Sequence, residues 1–363
     1  MSGILKHKAL IWSAIISLGA VFTSCETNTV DENQTNDESR AIYETHTISG
    51  DTQGTTYTVI IVDDMGKIKR SEIDAELRNF DLSLSTYIDE SVISKINNSD
   101  SSIVISDAFH FFKKCYLESQ HIYKITEGKF DPSVFPLVKG WGFMNDLETP
   151  LAQNQIDSIL NFVSFEEGRY HQIEFQNDEI AVTKSNPNFK LDFNAIAQGL
   201  SVDVIYDIIE KKGCENFYVE IGGELKVKGH NKNGTSWNIG VDSPIENLKT
   251  RKRDTIIHVS DKAIATSGNY RKFYVKDGVK YSHTLNPSTG KPVTHSLLSA
   301  TVIADKCSTA DAYATAFMVV GTEGALKFVR EHPEEQLAVY LLYANKNGEI
   351  EHVMSDGFSK YLK

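Results

Sequence analysis

The segment LLSATVIADKCSTADAYATAFMVVG, residues 297–321, joins a strand pattern directly to a helix pattern. Its first part is rich in β-branched and apolar side chains, and its second part is as apolar as a core helix. Strand-like and helix-like segments also alternate elsewhere in the chain, but without the regular strand–helix–strand period of a parallel sheet. We therefore predict a single large α+β domain that extends from residue 43 to residue 363.

Six further segments carry clear secondary-structure signals. Turn residues at 177–178 and 222–223 separate strand-like runs and predict strand pairs, whereas Gly128 and Gly213 end helical patterns. The predicted elements are a strand in TTYTVIIV (55–62), helices in RSEIDAELRNFDLSLS (70–85), AFHFFKKCYLESQHIYKITEG (108–128) and NAIAQGLSVDVIYDIIEKKG (194–213), and strand pairs in HQIEFQNDEIAVTK (171–184) and NFYVEIGGELKVKG (216–229).

The composition is that of a globular protein with a surplus of acidic residues. The 363 residues are 40% hydrophobic and 24% charged, and the formal net charge is −12. This charge argues against a nucleic-acid-binding protein, which normally carries a basic face, but it allows a local site for an anionic ligand. The four cysteines show no CxxC spacing and the histidines form no HExxH motif, so neither a zinc site nor a disulfide framework is predicted. We expect Cys115, Cys214 and Cys307 to be small core residues.

The N-terminal segment resembles a bacterial lipoprotein signal. Two lysines precede an apolar run over residues 9–21, which is too short to span a bilayer comfortably and suits a signal peptide. We predict a signal peptide over residues 1–24, lipidation of Cys25 and a flexible acidic tether over residues 25–42, because so polar a segment cannot form a core. The domain would then be anchored to the bacterial cell membrane on its periplasmic or extracytoplasmic side. A plain secretory signal and an uncleaved anchor are the alternatives.

Asp311 and Thr315 raise the first question about function. Their spacing of four residues places two oxygen-bearing side chains on one face of a helix. In one interpretation Ser308 or Thr309 is the N-cap and Asp311 lies in the first turn, where a carboxylate favours the helix dipole. In the other, both side chains are ligands for a hard cation such as Mg²⁺, which prefers oxygen.

Other polar residues near turns allow two interpretations each. Asp192 precedes a helix start that contains Ala195, and this arrangement is typical either of a helix cap or of a phosphate-binding helix N-terminus. His283 precedes a tight loop and is either a general base or a hydrogen-bonded surface residue. The segment 127–143 is dense in glycine, proline and aromatic residues, and could frame a flat aromatic ligand or form a packed loop. Ser267 is expected in a turn between strands.

Several motifs, taken in order, resemble the ApbE family, the FAD:protein FMN transferases. No GxGxxG or Walker A motif is present, so a nucleotide site must be built in another way. The matching segments are QGTTY (53–57), GKFDPSV (128–134), LDFNAIAQGLSVD (191–203), TSGNYRKF (266–273), HTLNPSTGKPV (283–293) and DAYATAFMVVG (311–321). The resemblance extends from about residue 47 to the C-terminus and implies an ApbE-like, T-fold-related domain.

The resemblance also implies a reaction. Members of the family cleave the pyrophosphate of FAD and transfer FMN to a Thr or Ser hydroxyl of a target protein through a phosphoester bond, and AMP leaves. Asp311 and Thr315 are implied to bind Mg²⁺ through their side chains, with the carbonyl of Ala195 as a third ligand. His283 resembles the base that deprotonates the acceptor hydroxyl, and Asp311 is implied to be catalytic. Such a transfer needs charge neutralisation, an in-line nucleophile and a base.

The same resemblance assigns residues to the FAD site. Tyr87 is expected to stack on a ring face of the flavin. Gln53 stands where many members have Met, and Gln198 stands at a position that is often Lys, so the contacts of both residues differ from the family pattern. At position 198 a neutral amide binds a phosphate less strongly than an ammonium does. The implied FAD-contacting residues are Gln53, Tyr87, Lys129, Phe130, Asp131, Asp192, Gln198 and Leu285.

Three functional hypotheses follow. The first is a Mg²⁺-dependent flavin transferase, anchored outside the cytoplasmic membrane, that modifies exported or membrane redox proteins. The second is an FAD pyrophosphatase that uses water as the nucleophile at the same site and forms FMN and AMP. The third is a lipoprotein that binds flavin without catalysis, which would need neither a metal nor a base.

Overall fold

The computed structural model describes residues 43–63, 66–143, 150–244, 253–269, 273–276 and 279–362. The predicted signal peptide, the lipidation site Cys25 and the tether over residues 25–42 lie outside the described residues. Within the described ranges, none of the helices has the length and apolar character that crossing a bilayer requires.

The centre of the fold is an eight-stranded sheet in which every neighbouring pair is antiparallel. The spatial order is β1-β2-β6-β7-β10-β15-β16-β17. These strands span Thr45–Thr52, Thr55–Val62, Phe217–Ile221, Glu224–Lys228, Ala263–Gly268, Leu297–Ala304, Ala338–Ala344 and Ile350–Met354, respectively.

Smaller sheets surround the large one. The strands β3 (Ser102–Ser106), β5 (Glu179–Lys184) and β4 (His171–Gln176) form a three-stranded sheet in this spatial order. Three hairpin-like pairs complete the strands, and each pair is antiparallel. They are β8 (Trp237–Asp242) with β9 (Arg253–Val259), β11 (Phe273–Lys276) with β12 (Val279–Ser282), and β13 (Leu285–Asn286) with β14 (Lys291–Pro292).

Seven α-helices and three short 3-10 helices are present in the described part of the chain. The α-helices are α1 (Arg70–Leu84), α2 (Val92–Asn98), α3 (Phe111–Ile125), α4 (Phe135–Gly140), α5 (Gln153–Leu160), α6 (Ala197–Lys211) and α7 (Cys307–Glu331). The 3-10 helices are Pro132–Val134, Pro333–Glu335 and Asp356–Tyr361.

The large sheet is covered on both faces, and the strand period of two explains how. In β15, Ala300 and Val302 belong to the core that contains α7, whereas Ile303 belongs to the core on the opposite face. That opposite core also contains Trp237 of β8 and Phe358 of the C-terminal 3-10 helix. Because β15 is buried on both faces, its near-continuous apolar sequence is what the position requires.

Most sequence predictions of elements are confirmed, and the differences lie at helix ends. The mixed α+β architecture, the strand at 55–62 and both predicted strand pairs are present as expected. The helix expected from residue 108 begins at Phe111, because His110 has a left-handed backbone with a φ of 56°. The helix expected from residue 194 begins only at Ala197. Helix α7 continues past a kink at Gly321 to Glu331, beyond the segment that the sequence singled out.

The cysteine prediction is also confirmed. Cys115, Cys214 and Cys307 are free thiols, and all three are buried. Burial in apolar surroundings raises the pKa of Cys115 and Cys307 well above the usual range of a thiol, so these two stay protonated and behave as small apolar residues.

Candidate active site

One cavity of about 590 Å³ lies at the end of the large sheet. Strand β10 pairs with β7 only through Ala263 and Ile264, so the following residues, 266–268, leave an edge that opens into the cavity. The turn between β6 and β7 and the strand β8 form the other side. All but one of the residues predicted for the catalytic, FAD and metal sites line this single cavity, namely Tyr87, Lys129, Phe130, Asp131, Asp192, Ala195, Gln198, His283, Leu285, Asp311 and Thr315.

Gln53 is the predicted residue that lies outside the cavity lining. It is in the turn between β1 and β2 and has a φ of 51°. Its side-chain oxygen accepts a hydrogen bond from Ser201 at 3.4 Å, while its buried Nε2 has no hydrogen-bond partner among the described residues. The side chain therefore faces α6 rather than the cavity.

Asp311 is held by a close contact between α6 and α7. Its Oδ2 accepts a hydrogen bond from the backbone N–H of Gly199 at 3.0 Å. A Cβ at Gly199 would lie 2.3 Å from the carbonyl oxygen of Cys307, so only glycine allows the two helices to approach this closely. Asp311 is 6% exposed, and burial raises the pKa of its carboxyl to about 7.

The irregular start of α6 leaves Ala195 outside the helix, in the lining of the same cavity as Asp311. In a continuing helix the N–H of Gly199 would donate to the carbonyl of Ala195, but here it donates to Asp311. The carbonyl of Ala195 thus lies before the first helical residue, Ala197, and within the cavity lining. The late start of α6, which the sequence pattern did not predict, is what leaves this oxygen available.

The donor set suits a hard cation. Thr315 lies one turn after Asp311, and its hydroxyl is 3.2 Å from the hydroxyl of Ser267. A buried carboxylate, a hydroxyl and a backbone carbonyl are all oxygen ligands, which Mg²⁺ prefers and soft metals do not. The described residues contain no group of three or more His, Cys, Asp and Glu side chains that could hold a metal ion. The residues present therefore fit Mg²⁺.

Two predictions about this region are wrong. The N-cap of α7 is Lys306, and neither Ser308 nor Thr309 fills that position. Ser267 lies within β10 and not in a turn between strands. The α7 N-terminus bonds to Asp203 and β10 pairs with β15, and both partners are far away in the sequence.

The segment before α4 supplies one wall of the cavity. Asp131 accepts hydrogen bonds from the backbone N–H of Ser133 at 2.7 Å and from its hydroxyl at 2.6 Å, and thereby caps the 3-10 helix Pro132–Val134. Burial raises the pKa of Asp131 to about 6. Lys129 donates to the hydroxyl of Ser288 at 3.2 Å and joins this wall to the loop between β13 and β14.

The backbone position of Asp192 is fixed by hydrogen bonds to the preceding residue, Leu191. The side-chain amide of Asn97 donates to the carbonyl of Leu191 and accepts from its N–H, each at 2.7 Å. The carboxylate of Asp192 accepts from the N–H of Asn194 at 2.8 Å, and burial raises its pKa to about 6. Tyr87 at the cavity rim is 74% exposed, so its ring has a free face for an aromatic ligand.

His283 lies between two anchored residues. The hydroxyls of Ser282 and Thr284 both donate to the side-chain oxygen of Asn269, at 2.5 and 2.6 Å. Both hydroxyl-bearing residues are buried, whereas His283 is half-buried and lines the cavity. The backbone on each side of His283 is thereby fixed, and its imidazole is presented to the cavity.

Three acidic residues of the cavity wall were not predicted from the sequence. Glu220, Glu224 and Asp242 all contribute to the lining. Glu220 accepts a hydrogen bond from the N–H of Gly223 at 2.7 Å and so stabilises the turn between β6 and β7. The signal available in the sequence was the pair of glutamates on either side of the Gly-Gly turn in EIGGE.

Comparisons with known proteins agree with this geometry. The model of the ApbE family matches residues 53–341. The FAD:protein FMN transferase of Vibrio cholerae serotype O1 is 34% identical over 322 residues, which cover 87% of this chain and 92% of that protein. The protein of the same name from Haemophilus influenzae is 31% identical over 309 residues, which cover 84% and 88%.

Solved structures give the same result. The flavin transferase ApbE from Vibrio cholerae superposes with a TM-score of 0.76 at 31% identity and covers 88% of this chain and 100% of its own. The apo form of the flavinyl transferase ApbE from Pseudomonas stutzeri also has a TM-score of 0.76, at 26% identity, and covers 88% and 97%.

Proposed function

The chain belongs to the ApbE family, and from this premise we propose that it transfers FMN from FAD to a hydroxyl group of an acceptor protein and releases AMP. The observation that carries the proposal is the single cavity in which Asp311, Thr315, Ala195 and His283 meet. Its volume of about 590 Å³ is within the range of about 300–1,000 Å³ that is usual for sites of cofactors and other small molecules.

Asp311, Thr315 and Ala195 would hold Mg²⁺ through a carboxylate, a hydroxyl and a carbonyl oxygen. The bound ion would neutralise negative charge on the diphosphate of FAD. The N–H of Gly199 orients the carboxylate, and the buried position of Asp311 excludes bulk water from it. A carboxylate in so low a dielectric favours a cation more strongly than an exposed one does.

His283 would act as the base for the acceptor. We propose that its imidazole takes the proton from a Thr or Ser hydroxyl as the hydroxyl oxygen attacks the phosphorus of the FMN half. The new bond is a phosphoester, and the bond that breaks is the one between this phosphorus and the oxygen that leaves with AMP. The anchored backbone at Ser282 and Thr284 keeps the imidazole in place during the attack.

The flavin needs a shaped and partly open site. Tyr87 provides an exposed ring at the rim, where stacking on the flavin is worth about 0.5–1.5 kcal/mol beyond the area that is buried. Phe130 and Leu285 supply apolar wall, and both are buried in the fold. Gln198 lines the cavity with a neutral amide at a position where an ammonium would bind phosphate more strongly.

The predicted N-terminal features complete the proposal. We infer that Cys25 carries a lipid and that residues 25–42 tether the domain outside the cytoplasmic membrane, where exported or membrane redox proteins would be the acceptors. In a bacterial host, Cys25→Ala should release the protein from the membrane fraction, and an unchanged membrane fraction would contradict the anchor.

A two-arm assay tests the activity. The purified protein is incubated with FAD and Mg²⁺, either with a fragment of a flavinylated redox protein or with the same fragment in which the acceptor hydroxyl is removed by an Ala substitution. The proposal predicts AMP only with the intact fragment. AMP in both arms would indicate a pyrophosphatase, and FAD that stays bound without AMP in either arm would indicate a flavin-binding protein.

A further inference from the structure

The starts of α6 and α7 are joined by two reciprocal sets of hydrogen bonds. Gly199 and Asp203 are four residues apart on α6, and Cys307 and Asp311 are four residues apart on α7. The N–H of Gly199 donates to Asp311, as described above. One turn further on, the carboxylate of Asp203 accepts the N–H of Cys307 at 3.0 Å and the N–H of Ser308 at 2.9 Å. Each helix therefore gives a carboxylate to the backbone of the other.

Asp203 is in effect the cap of α7, supplied from another helix. The N-cap residue of α7, Lys306, makes no capping hydrogen bond with its side chain. The first N–H groups of a helix need acceptors, and a carboxylate also suits the positive end of the helix dipole. Asp203 accepts a third hydrogen bond, from the hydroxyl of Ser308 at 2.9 Å. With these three bonds it fixes the position and rotation of the first turn of α7.

Lys226 of β7 holds Asp203 in turn. Its Nζ lies 3.1 Å from Oδ1 of Asp203, and the two side chains are only 13% and 5% exposed. The same ammonium lies 4.1 Å from the ring centroid of Tyr206, which adds a cation–π contact. Asp203 thus has its own counter-charge, whereas no basic side chain of the described residues forms an ion pair with Asp311. The carboxylates of Asp203 and Asp311 therefore differ in their electrostatic surroundings.

We propose that Asp203 and Lys226 are positioning residues that set α7 so that Asp311 and Thr315 present their oxygens to one divalent cation. Neither of the two lines the cavity, so they act through α7 and not by contact with substrate. The inference rests on the proposed function, because it concerns the support of the proposed metal site. It predicts that loss of the Asp203 bonds weakens metal binding more than it affects the reaction once metal is saturating.

Asp107 provides a matched control. It is also a buried Asp that caps a helix, since it accepts the N–H groups of Phe112 at 3.4 Å and Lys113 at 3.0 Å at the start of α3. It does not line the cavity. Asp203→Asn and Asp107→Asn therefore remove the same chemistry from two helix starts, of which only one carries the proposed ligands.

The test is a titration of the full-length protein with Mn²⁺, followed by electron paramagnetic resonance of the free ion, without FAD turnover. We expect the Kd of Mn²⁺ to rise at least tenfold in Asp203→Asn and to stay within twofold of wild type in Asp107→Asn. In the transfer assay, Asp203→Asn should raise the KM for Mg²⁺ to a similar extent while kcat at saturating Mg²⁺ falls less than threefold. An unchanged Kd in Asp203→Asn would overturn the proposal.

A second variant keeps the test decisive if Asp203→Asn does not fold. Lys226→Gln retains the bonds of Asp203 to α7 but removes the ion pair that holds its carboxylate in place. Loss of a nearby positive charge alone would favour a bound cation, so the expected fivefold rise in the Kd of Mn²⁺ would report lost positioning. A wild-type Kd in this folded variant would overturn the proposal. A wild-type protein that binds no Mn²⁺ would contradict the metal site itself and the proposal with it. That result differs from an unchanged Kd in the variants, which contradicts only the positioning role.

Discussion

Replacement of Gly199 by alanine is the sharpest structural test of the site. A Cβ at this position would lie 2.3 Å from the carbonyl oxygen of Cys307, 2.6 Å from its carbonyl carbon and 2.8 Å from Cβ of Asp311. The first two atoms belong to the backbone of α7 and cannot move aside as a flexible side chain can. The only relief is for α6 and α7 to separate, which lengthens the hydrogen bond between Gly199 and Asp311.

The magnitude follows from these contacts. Overpacking of a well-packed interior costs about 1–3 kcal/mol, and a clash with rigid backbone belongs at the upper end, so we expect Gly199→Ala to lower the free energy of unfolding by about 3 kcal/mol. For a domain of about 320 residues this corresponds to a fall in Tm of roughly 4–5 °C. A hydrogen bond to a charged group is worth about 1.5–3 kcal/mol, so its loss at Asp311 should lower kcat/KM for FMN transfer by roughly ten- to hundredfold.

Thermal unfolding and the acceptor-dependent release of AMP measure the two effects on the same preparation. Gly357→Ala is the matched control, because no atom lies within 4 Å of its added Cβ and its backbone has no positive φ. This control should have wild-type activity and stability. A Gly199→Ala protein with wild-type activity and Tm would refute the close helix contact and the placement of Asp311 that depends on it.

Three further predictions concern the flavin, the metal ligand and pH. Tyr87→Ala should raise the KM for FAD about fivefold with little change in kcat, because stacking of this size is lost at the rim, and steady-state kinetics would show the opposite pattern if Tyr87 were catalytic. Asp311→Asn should lower kcat at least a hundredfold while FAD still binds in equilibrium dialysis; full activity would contradict the ligand assignment. Burial lowers the pKa of His171 to about 4, so between about pH 6.5 and pH 4 the unfolded chain takes up a proton that the folded chain excludes, and stability falls as the pH falls. His171→Phe keeps an aromatic ring between Phe165 and Phe189. Wild type should lose roughly 2 kcal/mol more of its free energy of unfolding between pH 7.5 and pH 5 than this variant does. Urea unfolding at both pH values measures the difference, and an equal loss of stability in the two proteins would contradict the prediction.

Local patterns predicted the elements whose neighbours are also local. The strand at 55–62 has the expected bounds because the β-rich composition of these residues alone indicates a strand. The Asp311–Thr315 pair could be located because a spacing of four on a helix is a property of the segment alone. Nearly all the residues that the ordered motifs assigned to the site line the cavity, although each motif was weak by itself.

Features that depend on distant partners were not predictable in this way. The N-cap of α7 was assigned wrongly because its first N–H groups bond to Asp203, about a hundred residues earlier in the chain. The pattern from residue 194 looks helical, yet α6 begins only at Ala197, because Ile196 has a non-helical φ of −149°. Gln53 was assigned to the FAD site by its place in a motif, but its turn directs the side chain toward Ser201.

Intact mass spectrometry of the acceptor protein, combined with a count of AMP released, measures the transfer of FMN itself. With FAD and Mg²⁺ present, the account predicts that the acceptor gains the mass of FMN minus water, that one AMP appears for each acceptor modified, and that neither product forms with Asp311→Asn. AMP released without any mass gain on a proven acceptor, or a modified acceptor that forms equally well with Asp311→Asn, would contradict it.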